Sequence, residues 1–394
     1  MNVFSKNYWL KIKQPYLLKL AYQMLIFSRK KLIGMLIGAT FSAFIIMNQP
    51  GIYQGISDRL VTDIQDITEP DLWVMAPTSR DFNKPTFFTG LDIYRIRSIP
   101  GVLWAKQLYR TWYQMQDLNT HNVNSWILIG VDPDGLVGLP KTLLIGSKNS
   151  IHNSNSLIID GYALKQLETI DKKTIEIGDK FIEGRNNWIV SGISKPLRTY
   201  MIQPKAYTLS NHIPSLAHHP SFILVKIKKN ADHREVALKI HQKTGYDALT
   251  QDEFISRSLA FFREHTPIII IFICIAIMGF IIGLIIMWQI FSNFILTHLH
   301  QFGMLKMLGV PNRTLRNMVL FQALITGGIG YLMGLIFAIV FGLIVHDTQI
   351  AFHLTWQIAL LGALGTAIII VLSSCFSIIK VLRMDTVDLC RDLN

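Results

Sequence analysis

The sequence predicts a membrane protein, α-helical with four transmembrane helices, carrying a large α+β domain of two lobes between the first and second of them. Two observations lead there. Leu32–Ser57, Thr266–Leu305, Asn317–His346 and Thr348–Ile379 contain no Asp, Glu, Lys or Arg, and each exceeds the roughly 20 apolar residues that a helix needs to cross a bilayer core about 30 Å thick. The first stretch is separated from the other three by about 210 mostly polar residues. One helix, a large domain and three clustered helices is a plan for connecting two compartments rather than for a many-span pore.

Charge sets the orientation. The net charge is +12. Residues 1–31 hold Lys6, Lys11, Lys13, Lys19, Arg29, Lys30 and Lys31 with no acid, and the segment after the second span adds Lys306, Arg313 and Arg316, again with no acid. Residues 51–264 are nearly balanced, with 25 basic and 22 acidic residues. Basic excess confined to short membrane-flanking segments is the positive-inside signature and not a nucleic-acid surface. Both termini are therefore expected in the cytosol and residues 51–264 outside it. A cleaved signal peptide is the rival reading of the first stretch. It is disfavoured because some thirty residues precede the apolar run and no small-residue cleavage site follows it.

Taken in order, residues 1–31 read as a cytoplasmic amphipathic segment lying on the inner leaflet, its lysines toward lipid headgroups and Tyr8, Trp9, Leu17, Leu18, Leu25 and Phe27 toward the acyl boundary. The first span is 32–50. In the outer domain, Asp71–Ala76, Val102–Tyr109, Ser125–Val131, Ser156–Ile159, Trp188–Ile193 and Phe222–Ile227 are short runs rich in Val, Ile, Leu and Trp bounded by turn formers, and predict strands. Asp92–Ile99, Gly161–Thr169 and Asp232–Thr244 predict helices. Asp252 and Glu253 open another helix, running toward the membrane through Phe262. The domain has no cysteine; Cys274 and Cys375 lie in spans and Cys390 in the tail. The fold must hold without disulfides. Trp73, Trp104, Trp112, Trp126 and Trp188 could line an apolar path or fill the core. His212, His218 and His219 read as loop histidines, not as a metal site.

The second span, 267–291, begins a 40-residue uncharged stretch, about 60 Å as one helix at 1.5 Å per residue. The surplus must project into water as part of a cytoplasmic segment, 292–317. There Leu299, Phe302, Leu305 and Leu308 recur every three residues until Gly309 and Pro311 stop the helix. A new helix then enters the third span, 318–345, followed by a short outer loop, 346–354, the fourth span, 355–379, and a cytoplasmic tail, 380–394. Rod, sharp corner and return rod make a lever with an elbow; an ordinary loop with chance hydrophobics is the alternative. Gly327, Gly328, Gly330 and Gly334 in the third span, and Gly362, Ala363 and Gly365 in the fourth, would let another helix backbone approach closely.

Enzymatic equipment is missing from the sequence. It contains no G-x-x-x-x-G-K-[ST], H-E-x-x-H or G-x-S-x-G pattern, so neither nucleotide nor metal nor acyl chemistry is expected of this chain. The spans hold no acidic or basic side chain, which argues against ion-coupled transport.

The segment His300–Gly334, HQFGMLKMLGVPNRTLRNMVLFQALITGGIGYLMG, resembles the permease subunits of MacB/FtsX-type ABC transporters, most closely the DevC branch of exporter permeases. The resemblance extends to Glu264-His265-Thr266-Pro267, to Asp71–Ala76 and to Ile129-Gly130-Val131-Asp132-Pro133, and puts an FtsX-like permease domain at about 267–388. It implies a MacB-like periplasmic domain and a bacterial inner (plasma) membrane location. Gln301, Phe302, Gly303, Met304, Leu305, Lys306, Met307, Leu308 and Gly309 would then form the element that couples to a separate ATPase, which uses ATP and magnesium. Phe302, Leu305 and Leu308 would insert into it, with Lys306 and Arg313 flanking. Gln301 stands where the family usually has Glu, so the charge-assisted part of any bond there is lost. The resemblance further implies mechanotransmission, a second copy of the chain or a paralogous permease, a periplasmic adaptor and an outer-membrane channel. The exported substrate would be a lipid, glycolipid, peptide or drug-like molecule. A transmitter that activates a cell-wall hydrolase and a lipoprotein-releasing permease are the alternatives within the same superfamily.

Overall fold

The computed structural model describes residues 14–171, 174–184, 186–213, 219–346 and 348–382. Expectations for residues 1–13, His218, Asp347 and the tail beyond Leu382 lie outside them. The helices and strands in chain order begin with α1 (Gln14–Phe27), α2 (Arg29–Asp66), β1 (Leu72–Met75), α3 (Asp92–Arg97), β2 (Val102–Asp117), β3 (Val123–Val131) and β4 (Leu143–Gly146). There follow β5 (Ser156–Asp160), α4 (Gly161–Asp171), β6 (Lys180–Glu183), β7 (Asn186–Ser194), β8 (Lys205–Leu209), β9 (Phe222–Ile227), α5 (His233–Thr244) and β10 (Asp247–Leu249). The chain then becomes helical, with α6 (Gln251–His265), α7 (Ile268–Thr297), α8 (Leu299–Met307), α9 (Asn312–Val345) and α10 (Trp356–Leu382). It divides into a helical unit, residues up to Gly55 and from Pro267, and an α+β unit, Ile56–Thr266.

Among the described residues, four helices are long and apolar enough to cross a membrane: Arg29–Asp66, Ile268–Thr297, Asn312–Val345 and Trp356–Ile379. The first does not end at Pro50-Gly51, where the sequence suggests a stop. Proline inside a helix removes one backbone bond, yet α2 passes through Pro50 and continues to Asp66.

Close approach of backbones holds the helical unit together. A side chain at Gly330 would run into Ala39 and at Gly334 would meet Ala43 Cβ at 2.7 Å and Thr40 O at 2.9 Å, both on α2. One at Gly327 would occupy the space of Ile370 on α10. Gly328 has open space around its Cα and makes no such contact among the described residues. Gly362 and Gly365 admit Met47 and Ile46 of α2. Small residues at helix crossings allow this in a setting where lipid offers no hydrophobic drive between helices. Side-chain hydrogen bonds add to it, Ser292 Oγ with Ser377 Oγ at 3.2 Å and Tyr331 OH to Ala359 O at 3.1 Å.

In the α+β unit one ten-stranded sheet runs in the order β10-β1-β9-β2-β3-β8-β5-β7-β4, with β6 bridging β2 and β7. The pairs β3–β8 and β5–β7 are parallel and the others antiparallel. Side chains alternate between the two faces with the period of two that a strand imposes. Val74, Ile223 and Val225 face α3 and α5, where Ile93, Ile96, Val236 and Ile240 complete a core. Further along the sheet, Leu128, Leu157 and Ile159 meet Ala163 and Leu167 of α4. These helix-covered ends are the two lobes. The opposite face carries one core shared by both, in which Trp73, Leu108, Ile129, Ile158 and Phe222 pack with Ile64 of α2 and Phe254 of α6. Trp73, Trp126 and Trp188 are fully buried and fill these cores, whereas Trp112 is exposed. His212 is half-buried, with its ring 3.4 Å from Thr208 Oγ1, not free in a loop.

Local signals explain the helix ends. Thr250 and Glu253 form a reciprocal capping box at the start of α6, satisfying two amides that the helix leaves unpaired. Gly245, at φ +73°, closes α5.

A buried ion cluster fixes the end of α2 within this unit. Lys205 Nζ on β8 lies 2.6 Å from Asp63 Oδ1 and 3.8 Å from Asp160 Oδ2. The Oδ1 atom of Asp160 accepts the amides of Tyr162 and Leu197 at 2.8 and 3.0 Å. Burial alone would depress the Lys205 ammonium, but Asp63, Tyr207 and Asp160 outweigh it and raise its pKa above the ordinary lysine value. The Gln251 amide donates to Ile64 O at 2.8 Å and ties the same helix end to α6.

Candidate coupling surface

All the residues proposed for coupling fall on one hairpin, α8 and the start of α9. The expected straight rod from Thr266 to Leu305 is broken at His298, whose φ of −97° and ψ of 9° separate α7 from α8. Backbone bonding continues across the break, with His298 N donating to Ile295 O and Phe302 N to His298 O. The cause is a side-chain arrangement invisible to local sequence. The imidazole of His298 is buried against Phe294, its Nδ1 is 2.8 Å from Gln301 Oε1 and its Nε2 is 2.7 Å from Ser28 Oγ.

The corner after α8 follows from its residues. Gly309, at φ +83°, adopts a left-handed conformation that residues with a Cβ reach only at a cost. Gly309 N donates to Lys306 O at 3.0 Å and Val310 N to Leu305 O at 3.1 Å, the paired bonds of a Schellman stop. Leu305 and Val310, the two residues that such a stop brings together, pack on the same core. Pro311 then leads into α9 at Asn312.

The hairpin has two faces. Phe302 is 0% exposed, and with Gly303 it is turned into a core built from Ala21, Met24 and Leu25 of α1, Phe294 and Ile295 of α7 and Leu315, Met318 and Val319 of α9. This corrects the expectation that Phe302 inserts into a partner: it is already packed inside its own chain. Leu305 is half-buried against the same core. The outward face carries Met304 at 43%, Met307 at 46% and Leu308 at 78% exposure. Lys306 is half-buried; Gln301 and Arg313 are exposed. Gln301, in the position where Glu is usual, is bonded to His298 of its own helix break. Burial, and then Lys31 nearby, lower the His298 pKa against the opposing bond from Gln301, so the ring is held neutral. Ser28, which the sequence did not single out, thus shapes the hairpin together with His298, through a pairing 270 positions apart in the chain.

Among the described residues no three His, Cys, Asp or Glu side chains gather as a metal ion requires.

Residues 269–386 match the family described as FtsX-like permease C-terminal. No curated protein matches the chain. Solved structures similar to it include the periplasmic region of MacB from Actinobacillus actinomycetemcomitans, 12% identical, with a TM-score of 0.35, covering 52% of this chain and 96% of that one. The extracellular domain of the ABC-type transporter YknZ from Gram-positive bacteria is 16% identical, with a TM-score of 0.33 over 46% of this chain and 99% of its own. A domain of a putative permease protein from Porphyromonas gingivalis is 12% identical at 0.33, over 46% and 90%. Likeness at that level adds nothing to the assignment, which rests on the permease domain. Residues 269–386 are an FtsX-like permease domain.

Proposed function

We propose that this chain is the membrane subunit of an ATP-driven exporter and relays the stroke of a separate ATPase to its α+β unit. In this reading both termini and α8 are cytosolic and the α+β unit is periplasmic. Two copies pair with two ATPase subunits, and an adaptor and outer-membrane channel receive a lipid, glycolipid, peptide or drug-like substrate, as in the DevC branch. ATP and magnesium belong to the partner.

The observation that carries the reading is the outward apolar face of α8. Met304, Met307 and Leu308 project from a helix that is pinned on its inner side by Phe302 and stopped rigidly at Gly309. Exposed methionines and a leucine beside Lys306 and Arg313 suit a groove with an apolar floor and an acidic rim. Motion received there has two covalent routes to the α+β unit. One is α2, helical without interruption from Arg29 to Asp66. The other is α7, joined to α6 through Thr266 and Pro267.

The test is co-purification from native membranes. The intact chain is expected to bring down a P-loop ATPase. Leu308→Asp and Met304→Asp are expected to lose it without a change in thermal stability, because neither side chain is packed in the core. A pull-down with no P-loop protein, or full retention by both variants, would refute the proposal.

A further inference from the structure

We propose that Ser28, His298 and Gln301 form a brace that ties the break between α1 and α2 to the break between α7 and α8, so that α1 sets the angle of the coupling helix. This deepens the coupling role proposed for α8 and rests on it.

Both breaks are single residues. Ser28 stands alone between α1 and α2, and its carbonyl accepts the amides of Lys31 and Leu32 at 3.0 and 2.9 Å, the backbone role of an N-cap. A serine in that position ordinarily turns its hydroxyl onto its own helix. Here the hydroxyl meets His298 Nε2 at 2.7 Å instead. His298 stands alone between α7 and α8 and spends its other nitrogen on Gln301, one turn into α8, at 2.8 Å. With Gln301 Oε1 facing the ring, Nδ1 carries the hydrogen and donates, which leaves Nε2 to accept from Ser28. The result is a directed chain of two bonds from the start of α2 through the ring to α8.

Neighbouring contacts act in the same direction. Lys31 Nζ meets Thr297 Oγ1 across the same pair of helices. Gln322 Nε2 of α9 donates to Ala21 O of α1 at 2.8 Å in a buried setting. Ala21, Met24 and Leu25 share one core with Phe302. Hence α1 belongs to the head of the lever, and the brace is the fastening that fixes the angle between its two bends. A short helix with an exposed apolar outer face needs such a fastening to hold one orientation.

The experiment uses the full chain in lipid nanodiscs, with Cys274, Cys375 and Cys390 changed to serine and nitroxide labels at Tyr22→Cys on α1 and Met304→Cys on α8. Both positions are exposed. Pulsed electron resonance is expected to give one narrow distance distribution. Ser28→Ala and His298→Ala should each lose it, and the double variant should be no broader than either single one, because both remove the same link. Ser28→Thr, which keeps a hydroxyl, should restore the narrow form. An unchanged distribution in Ser28→Ala would overturn the proposal, and so would broadening that adds in the double variant. Ser28→Ala removes a single oxygen and so keeps the test open if His298→Ala fails to fold. The readout needs no ATPase, so failure of the brace and failure of the coupling proposal are distinguished.

Discussion

Replacing Lys205 by methionine tests whether the buried ion cluster anchors the end of α2 in the α+β unit. The substitution keeps most of the side-chain volume and removes the charge. It leaves Asp63 and Asp160 facing each other with side-chain exposures of 11% and 2%. Removing one partner of a buried pair costs about 3–5 kcal/mol, because the remaining charge is stranded in a poor solvent. At roughly 2–4 °C per kcal/mol for a unit of about 150–250 residues, the melting temperature of the full chain in detergent should fall by about 6–20 °C, read by tryptophan fluorescence from Trp73, Trp126 and Trp188. The pH dependence supplies a sign. The folded-state pKa of Lys205 is raised, so its contribution is fully present below the ordinary lysine pKa and is lost only as pH climbs through the raised value. The contribution of this group to wild-type stability should stay constant between neutrality and about pH 10, and should decline above that. The methionine variant should lack that alkaline loss and recover on acidification, which protonates Asp160, whose carboxyl burial already pushes up. Lys205→Met with Asp63→Leu should regain much of the deficit, since apolar replacement of a buried pair is often neutral. A single variant that melts within about 2 °C of wild type, less than 1 kcal/mol on that scale, would refute the anchoring argument.

Four further outcomes follow from the geometry. Phe302→Ala should cost about 3–5 kcal/mol, whereas Leu308→Ala should stay within about 0.5 kcal/mol, both read by thermal melting. Gly334→Leu should destroy the crossing of α9 on α2 and give misassembled protein by size-exclusion chromatography, while Gly328→Ala should elute as wild type. Gly309→Ala should lose about 1–2 kcal/mol by forcing a Cβ into the left-handed region, measurable as faster amide exchange at Val310. Thr250→Ala should remove the capping box of α6 and cost about 0.5–2 kcal/mol in chemical denaturation.

How much was legible in the sequence depended on whether the signal was local. The spans, the six strands rich in branched and aromatic residues, the helix at 233–244 and the stop at Gly309-Pro311 all carry their cause within a few residues. β8 was not readable because Lys205 and Thr208 interrupt its apolar alternation; its lysine is inside only because Asp63, more than a hundred residues earlier, waits for it. The passage of α2 through Pro50-Gly51 contradicts a sound local rule, and packing wins: at Gly51 and Gly55 the chain leaves room for Phe352 and Ala351 to press against the helix. Phe302 lies on the short helix α8 but on its inward face, since a spacing of three residues over a nine-residue helix does not say which side is already occupied. The break at His298 needed Ser28, and no window along the chain contains both.

The sixteen-residue strand β2 has a mechanical consequence. Its first half is bonded to β9 and its second half to β3 and β6, so a single backbone is the spine of both lobes. Closing them like a jaw would mean tearing hydrogen bonds out of the middle of the sheet. The unit can instead twist as one leaf spring, its two lobes turning together about a shared backbone.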